Sequence, residues 1–257
     1  MSTIFRDIDI DNWEKKSLST VLGICGFFPA YVNYLFIGSS RKILIIGDSG
    51  GRDYNFIKKF DKTITVFDIT MQSNVELKDQ IIGDANIKLP FKSKSFDAVV
   101  AFEVIEHLKN DAHFLLEIRR ILKDDGIFSI SVPFLNDYRD FHIRIHTDLT
   151  IKRLLVVHGF KIEDFIYRGA FLFLNNLIGF LDGIFIKIAH LLLKKNPVIM
   201  RLMINELFTK NILIPIGRTK AGKFLSKYVR SYYGGFIKAT KSDFFDINKI
   251  NIIEFRR

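Results

Sequence analysis

Three glycines and two aspartates carry the first chemistry the sequence offers. Gly47, Gly50 and Gly51 stand in Gly-Asp-Ser-Gly-Gly, directly after the apolar run Lys42 to Ile46. They permit a tight turn and let a ligand approach the main chain with no Cβ in the way. Asp68 follows 21 residues after Gly47, at the tip of the run Thr63 to Phe67, where it can accept hydrogen bonds from two ribose hydroxyls. Asp84, in Gly83-Asp84-Ala85 after Gln80 to Ile82, adds an acceptor suited to an adenine amino group. The combination indicates an adenosine-type ligand. A dinucleotide fingerprint starting at Gly47 needs glycine at 49 and 52, where the chain has Ser49 and Arg52, and the Gly-Lys-Ser/Thr of a phosphate cradle is absent here. A ligand without phosphate needs neither, so S-adenosylmethionine is favoured over NAD. For each residue a plainer role stands beside this one: Asp68 as a turn former or helix N-cap, and Gly83-Asp84 as an ordinary turn.

These residues need a scaffold that brings strand ends together. Lys42 to Ile46, Thr63 to Phe67, Gln80 to Ile82, Phe96 to Phe102, Gly126 to Val132 and Phe160 to Tyr167 read as strands, with helices at Tyr54 to Phe60, Asp111 to Leu122 and Asp148 to His158 between them. Strands that are continuously apolar are buried on both faces, which predicts a mostly parallel sheet between helices. In such a sheet, ligands bind beyond the carboxyl ends of the strands, where the glycine turn lies. Gly234 to Thr240 reads as one more strand, which makes 171–231 an insertion before it. The expected layout is an N-terminal helical region (1–40), a ligand-binding core (41–170), the insertion, and a last strand with tail (232–257). Ser17 to Ser40 carries no charge, but Pro29 and Asn33 interrupt it and only Arg41 separates it from the first strand. It is expected to cover the fold or rest on a membrane rather than span one.

Charge is unevenly placed. The chain has 257 residues and a net charge of +10, and residues 171–257 hold 15 Lys/Arg against 5 Asp/Glu, so the whole excess lies in the last third. That third also contains the apolar stretch Phe171 to Leu193 and the segment Thr219 to Tyr232, with Lys220, Lys223, Lys227 and Arg230 on one side and Phe224, Tyr228 and Tyr232 on the other. Basic charge joined to an apolar face suits an anionic membrane surface more than nucleic acid, which needs only the charge. Hydrophobic residues at 48% give ample core. The single cysteine, Cys25, excludes an internal disulfide, and the acidic, mixed start is unlike a signal peptide, so a cytoplasmic location, peripheral on the inner membrane face, is expected.

Ile43 to Gly51, Asp68, Gly83-Asp84-Ala85, Leu89-Pro90-Phe91, Ser95 to Val100, Glu103 to Leu108 and Ile121 to Val132 together resemble the class I S-adenosylmethionine-dependent methyltransferases. The likeness is to the type 11 subgroup that includes ubiquinone and menaquinone methylases, and it covers about Arg41 to Arg168. It implies an α/β fold, a doubly wound Rossmann-like sheet of seven strands whose last, Gly235 to Thr240, is antiparallel, with the helical insertion before it. It also implies that the Gly47 loop holds the methionine end of the cofactor, Asp68 the ribose and Asp84 the adenine. Gly47, Asp48, Ser49, Gly51, Asp68, Ile69, Asp84, Ala85, Phe102 and Glu103 are then the cofactor-binding set. Two departures stand out: Ile45 and Ser49 occupy positions where the family usually has an acid and a glycine, and the lost acid removes an acceptor near the cofactor's amino group.

Methyl transfer needs alignment of donor and acceptor and, for a hydroxyl acceptor, a base. His107 is the candidate, with His142 and His146 next, against the plainer role of a packed histidine. Glu103, Glu106 and His107 fall at i, i+3 and i+4, so on a helix they share a face that could bind a divalent cation with a later histidine. The same string occurs in metal-free relatives, and no metal is assigned. The expected activity is methyl transfer to a small-molecule, lipid or lipid-linked acceptor at the membrane surface, with dimerisation through 171–193. The alternatives are an RNA methyltransferase using the basic last third and a non-catalytic interaction module.

Overall fold

In the computed structural model, the described residues are 24–134, 142–168, 209–227 and 234–242. Helix α1 (Ile24–Ile37) precedes strand β1 (Lys42–Ile46), and a 3-10 turn (Ser49–Gly51) leads into α2 (Arg52–Ile57). Then follow β2 (Thr63–Asp68), β3 (Gln80–Ile82), β4 (Phe96–Phe102), α3 (Asp111–Ile121), β5 (Leu122–Pro133), α4 (Asp148–Val157) and β6 (Phe160–Tyr167). The chain closes with α5 (Ile214–Gly217), α6 (Lys220–Lys227) and β7 (Gly234–Lys241). The seven strands form one sheet in the order β3-β2-β1-β4-β5-β7-β6.

Strand β1 sits in the middle because Ile43 to Ile46 offer only apolar side chains, all buried, to both faces. It pairs in parallel with β2 (Ile45 beside Val66) and with β4 (Ile45 beside Val100). Strand order reverses between β1 and β4, so the ends of those two strands flank the crevice in which doubly wound sheets place ligands. β7 runs antiparallel to β5, from Ile127 beside Thr240 to Pro133 beside Gly234, as expected of the last strand. A Cβ at Gly235 would stand 2.6 Å from the Phe165 ring, so only glycine lets that ring close over the strand.

The helices follow from caps and apolar faces. α3 starts where the Asn110 side chain accepts a hydrogen bond from the His113 amide, and buries Phe114, Leu115, Ile118 and Ile121 against the sheet. α4 starts with Thr147 and Thr150 in a reciprocal capping box. Residues 30–37 of α1 lie on the fold rather than apart from it: Ala30, Tyr31, Val32, Asn33, Phe36 and Ile37 are all buried.

Two elements differ from the sequence reading by more than one residue at an end. The helix expected at Tyr54 to Phe60 begins at Arg52, because the Asp48 carboxylate accepts from the amides of Asp53 and Tyr54 and so caps the first turn, and it tightens to a 3-10 turn at Lys58–Phe60. β5 begins at Leu122 rather than Gly126, with a register shift on β4 between Phe96 and Ala98 absorbing the exposed residues 123–125.

The chain divides into two compact units. One comprises residues 30–165 and 234–257 and holds the candidate site; the other comprises residues 1–29 and 166–233. In the second, Thr219 joins α5 to α6 by donating to the Ile216 carbonyl and accepting from the Gly222 amide. α6 covers Lys220 to Lys227 of the expected basic helix; residues 228–232 and the apolar stretch 171–193 lie outside the described residues. Among the described residues, no helix is long and apolar enough to cross a membrane.

Candidate active site

The glycine turn is built by positive φ angles and close approaches. Gly47 (φ +69°) donates its amide to the Phe67 carbonyl on β2, and a Cβ there would stand 2.6 Å from Val104 Cγ2. Gly50 and Gly51 continue at φ +80° and +72°. The turn is braced from the segment after β2: the Gly50 amide donates to Gln72 Oε1, Asn74 Nδ2 donates to the Gly50 carbonyl, and Asn55 Nδ2 donates to the Gly51 and Asn74 carbonyls. Nothing lies within 4 Å of where a Gly50 Cβ would be, so the backbone is open on that side. Gln72, Asn74 and Asn55 carry no motif signal and were not among the sequence candidates.

Below the turn lies a buried polar cluster. Asp48 is 2% exposed, and both its oxygens face inward to the amides of Asp53 and Tyr54, at 2.9 and 2.8 Å. Burial and the neighbouring Asp53 charge push its pKa up to about 7 against the opposing effect of those amides and Arg52. Asp53 accepts from Asn33 Nδ2 at 2.6 Å and from Arg52 Nε and Nη2. Asn33 Oδ1 in turn accepts from Ser129 Oγ at 2.7 Å, on β5. Burial disfavours the Arg52 charge, but the carboxylates around it, Asp53 foremost, outweigh that and hold its pKa above the ordinary value.

Asp68 and Asp84 end β2 and β3. Asp68 Oδ1 accepts from the Thr70 amide, its carbonyl accepts from the Gly83 amide, and Ile69 beside it is 70% exposed. Asp84 Oδ1 accepts from the Asn86 amide and side chain, which holds its carboxyl below the usual range, and Ala85 follows it in the same turn. Both aspartates thus form turns, and in each the bonds named use one oxygen. Asn86 Oδ1 accepts from the Lys109 amide, linking this turn to the chain after β4.

At the end of β4, Phe102 is buried with its ring 5.2 Å from that of Phe236 and 5.9 Å from the Arg52 guanidinium. Glu103 takes a positive φ of 58° and accepts from Ser131 Oγ at 2.7 Å. The expected helical face of Glu103, Glu106 and His107 is therefore not formed: only Ile105–His107 makes a single 3-10 turn, and Glu103 turns to β5 instead. Glu106 is fully buried, with an oxygen 3.9 Å from Nε2 of the half-exposed His107. The rings of His107 and His142 are 5.0 Å apart. His146 is placed differently: it is buried, and burial, with the charge of Arg144, lowers its pKa against the pull of Asp111. Of Ser49, the backbone opens the 3-10 turn.

The structure thus gathers Gly47, Asp48, Gly51, Asp68, Asp84, Phe102, Glu103 and His107 around the carboxyl ends of β1 to β4. A cradle open over Gly50 and carboxylates on adjacent strand ends fit a nucleoside with a short chain. The methyltransferase domain family matches residues 45–130. An uncharacterized protein of Methanocaldococcus jannaschii is 31% identical over 185 residues, covering 65% of this chain and 78% of that one. A ubiquinone biosynthesis O-methyltransferase of Rickettsia bellii is 29% identical over 102 residues, 36% of this chain and 42% of its own. A Burkholderia thailandensis 1,6-didemethyltoxoflavin-N1-methyltransferase, crystallised with S-adenosylhomocysteine, shares the fold at 14% identity with a TM-score of 0.54, covering 91% of this chain and 82% of that one. Strand order, glycine turn and these likenesses agree: the chain belongs to the class I S-adenosylmethionine-dependent methyltransferases.

Proposed function

We propose that the methyl acceptor is a small molecule, lipid or lipid-linked compound met at an anionic membrane surface, with the protein peripheral on the cytoplasmic face. The observation that carries this reading is the placement of charge. The whole basic excess lies in residues 171–257, together with their long apolar stretch. In the described part of that region, α6 sets Phe224, 59% exposed, on the same short helix as Lys220, Lys223 and Lys227. An exposed aromatic among lysines suits insertion between lipid headgroups, whereas phosphate-backbone binding needs no apolar side chain.

Within the site, the glycine turn is assigned the methionine end of the cofactor, through main-chain groups exposed by the missing side chains. The assignment of Asp48 rests on its main chain, since its carboxylate caps α2. Asp68 is assigned the ribose hydroxyls, with Ile69 beside it, and Asp84 with Ala85 the adenine amino group. Phe102 and Glu103 close the end of β4. S-adenosylmethionine, when bound, supplies a methyl group on a sulfonium, from which the neutral thioether is a good leaving group. What remains for the protein is to align the acceptor, exclude water and, for a hydroxyl, take its proton. His107 Nε2, half exposed at this edge, is assigned that proton.

Flotation of the full chain with vesicles of anionic lipid, against neutral vesicles and against Phe224→Ser combined with Lys220→Glu, tests the membrane reading. Recovery confined to anionic vesicles and reduced in the variant supports it. Equal recovery from both vesicle types, or none, removes it. The acceptor is sought as a mass gain of one methyl in a membrane extract incubated with labelled cofactor.

A further inference from the structure

We infer that Glu106, His107 and His142 form a binding site for a first-row divalent cation of the zinc or manganese kind. One donor atom from each side chain lies within 4.8 Å of those from the other two, the oxygen of Glu106 and Nε2 of His107 being 3.9 Å apart. A cation about 2.0–2.2 Å from its nitrogen and oxygen ligands holds neighbouring ligand atoms about 3–4 Å apart. The three donors thus stand within about 2 Å of that spacing.

The three residues are brought together by design of the main chain, not by chance of exposed rotamers. Glu106 and His107 belong to the 3-10 turn that follows β4. His142 follows β5 in the chain, and the two residues after it, Ile143 and Arg144, both donate their amides to the Glu106 carbonyl, at 2.9 and 3.0 Å. The third donor is thus held one residue away from a main-chain clasp onto the first. Glu106 is 0% exposed while the histidines are partly exposed, so a carboxylate lies at the bottom and two imidazoles at the rim.

The donor set also selects the cation. Magnesium and calcium favour oxygen ligands throughout, whereas two imidazoles and one carboxylate suit zinc, manganese, iron(II), cobalt or nickel. Three protein ligands leave open positions for oxygen donors such as water. The existence of the site does not rest on the methyl-transfer reading. Only its use does: with a cation bound, His107 would be a ligand and not the proton acceptor assigned above, a hydroxyl acceptor on the cation would be made more acidic, and its proton would pass to solvent.

The test is calorimetric titration of the untagged, chelator-treated full chain with zinc chloride and with manganese chloride, and with magnesium chloride as the hard-cation arm. One equivalent bound per chain is expected with zinc or manganese and at least tenfold weaker binding with magnesium. His107→Ala and His142→Ala are each expected to weaken binding tenfold or more, while His158→Ala, just after α4, leaves it unchanged. Glu106→Gln is expected to act likewise; because Glu106 is buried, the two histidine variants carry the inference should it fail to fold. Thermal melting and S-adenosylhomocysteine titration report the fold of each variant. Stoichiometric binding that survives His142→Ala, binding abolished only by His158→Ala, magnesium bound as tightly as zinc, or no binding by a folded chain would each overturn the site. A chain that binds the cation but not S-adenosylhomocysteine counts against the cofactor assignments alone.

Discussion

Asn33 and Asp53 are joined by a 2.6 Å hydrogen bond between two fully buried side chains, 20 residues apart in sequence. The bond belongs to a chain that starts at Ser129 on β5, passes through Asn33 on α1 and Asp53 on α2, and ends at Arg52 beside Phe102. Helix α1, which reads in sequence as a cover, is thereby wired to the helix that opens from the glycine turn. A buried polar chain with every link made fixes one arrangement, and one broken link leaves groups stranded without water.

Asn33→Ala strands Asp53 Oδ1 and Ser129 Oγ, and a cost of about 1–3 kcal/mol in stability is expected. Asn33→Asp, which sets a further carboxylate against Asp53, is expected to be worse. Chemical denaturation gives the stability and S-adenosylhomocysteine titration the state of the turn. An Asn33→Asp protein as stable as the parent would contradict the described chain of bonds.

The second expectation concerns pH. Asp48 has a folded-state pKa near 7, raised by burial and by Asp53, while in an unfolded chain an aspartate titrates near 3.9, an ordinary value. Between these values the folded protein keeps a proton that the unfolded chain has lost. The contribution of this group is therefore full below about pH 4 and is lost as pH rises through about 7. Asp48→Asn cannot titrate, so its stability relative to the parent should rise from pH 5 to pH 8. A difference between the two proteins that stays constant across that range would show that Asp48 titrates normally.

Asp68→Ala is expected to weaken S-adenosylhomocysteine binding by about 1–3 kcal/mol, the value of charge-assisted hydrogen bonds. Its turn with Thr70 is exposed, so melting should change little. Asp68→Asn, which keeps an acceptor, should fall between. Unchanged affinity in both would relocate the ribose.

Gly47→Ala meets two obstacles, a φ of +69° and a contact of 2.6 Å with Val104 Cγ2. The left-handed backbone alone costs a non-glycine residue about 1–2 kcal/mol. Adding Val104→Ala removes the contact but not the backbone cost, so the double variant should recover part of the stability and none should exceed the parent. Full recovery would mean that φ plays no part.

Most of the sheet was legible because its strands are short apolar runs bounded by glycine or aspartate. Gln80 to Ile82 and Phe96 to Phe102 have the extents their composition indicates. β5 and α2 differ from the sequence reading at their starts, where a cap by Asp48 across five and six residues and a register shift opposite Phe96 decide the boundary, and neither has the spacing of an ordinary signature. At the site, glycines and strand-end aspartates announce themselves by type and spacing. Gln72, Asn74 and Asn33 do not, since an amide that braces a turn or joins a buried chain has the same letters as one facing water. The i, i+3, i+4 spacing of Glu103, Glu106 and His107 misled because it presumes a helix, and a positive φ at Glu103 redirects the first of them to Ser131.

The order of the last two strands has a consequence for biosynthesis. β6 reaches the sheet only through β7, which lies between it and β5, yet residues 168–233 are translated between them. At about 5–20 residues per second, a ribosome leaves the outer edge of β5 uncovered and β6 without a neighbour for several seconds. Chaperone capture or self-association of nascent chains should peak in that interval, and slowing translation within the inserted stretch should lengthen it.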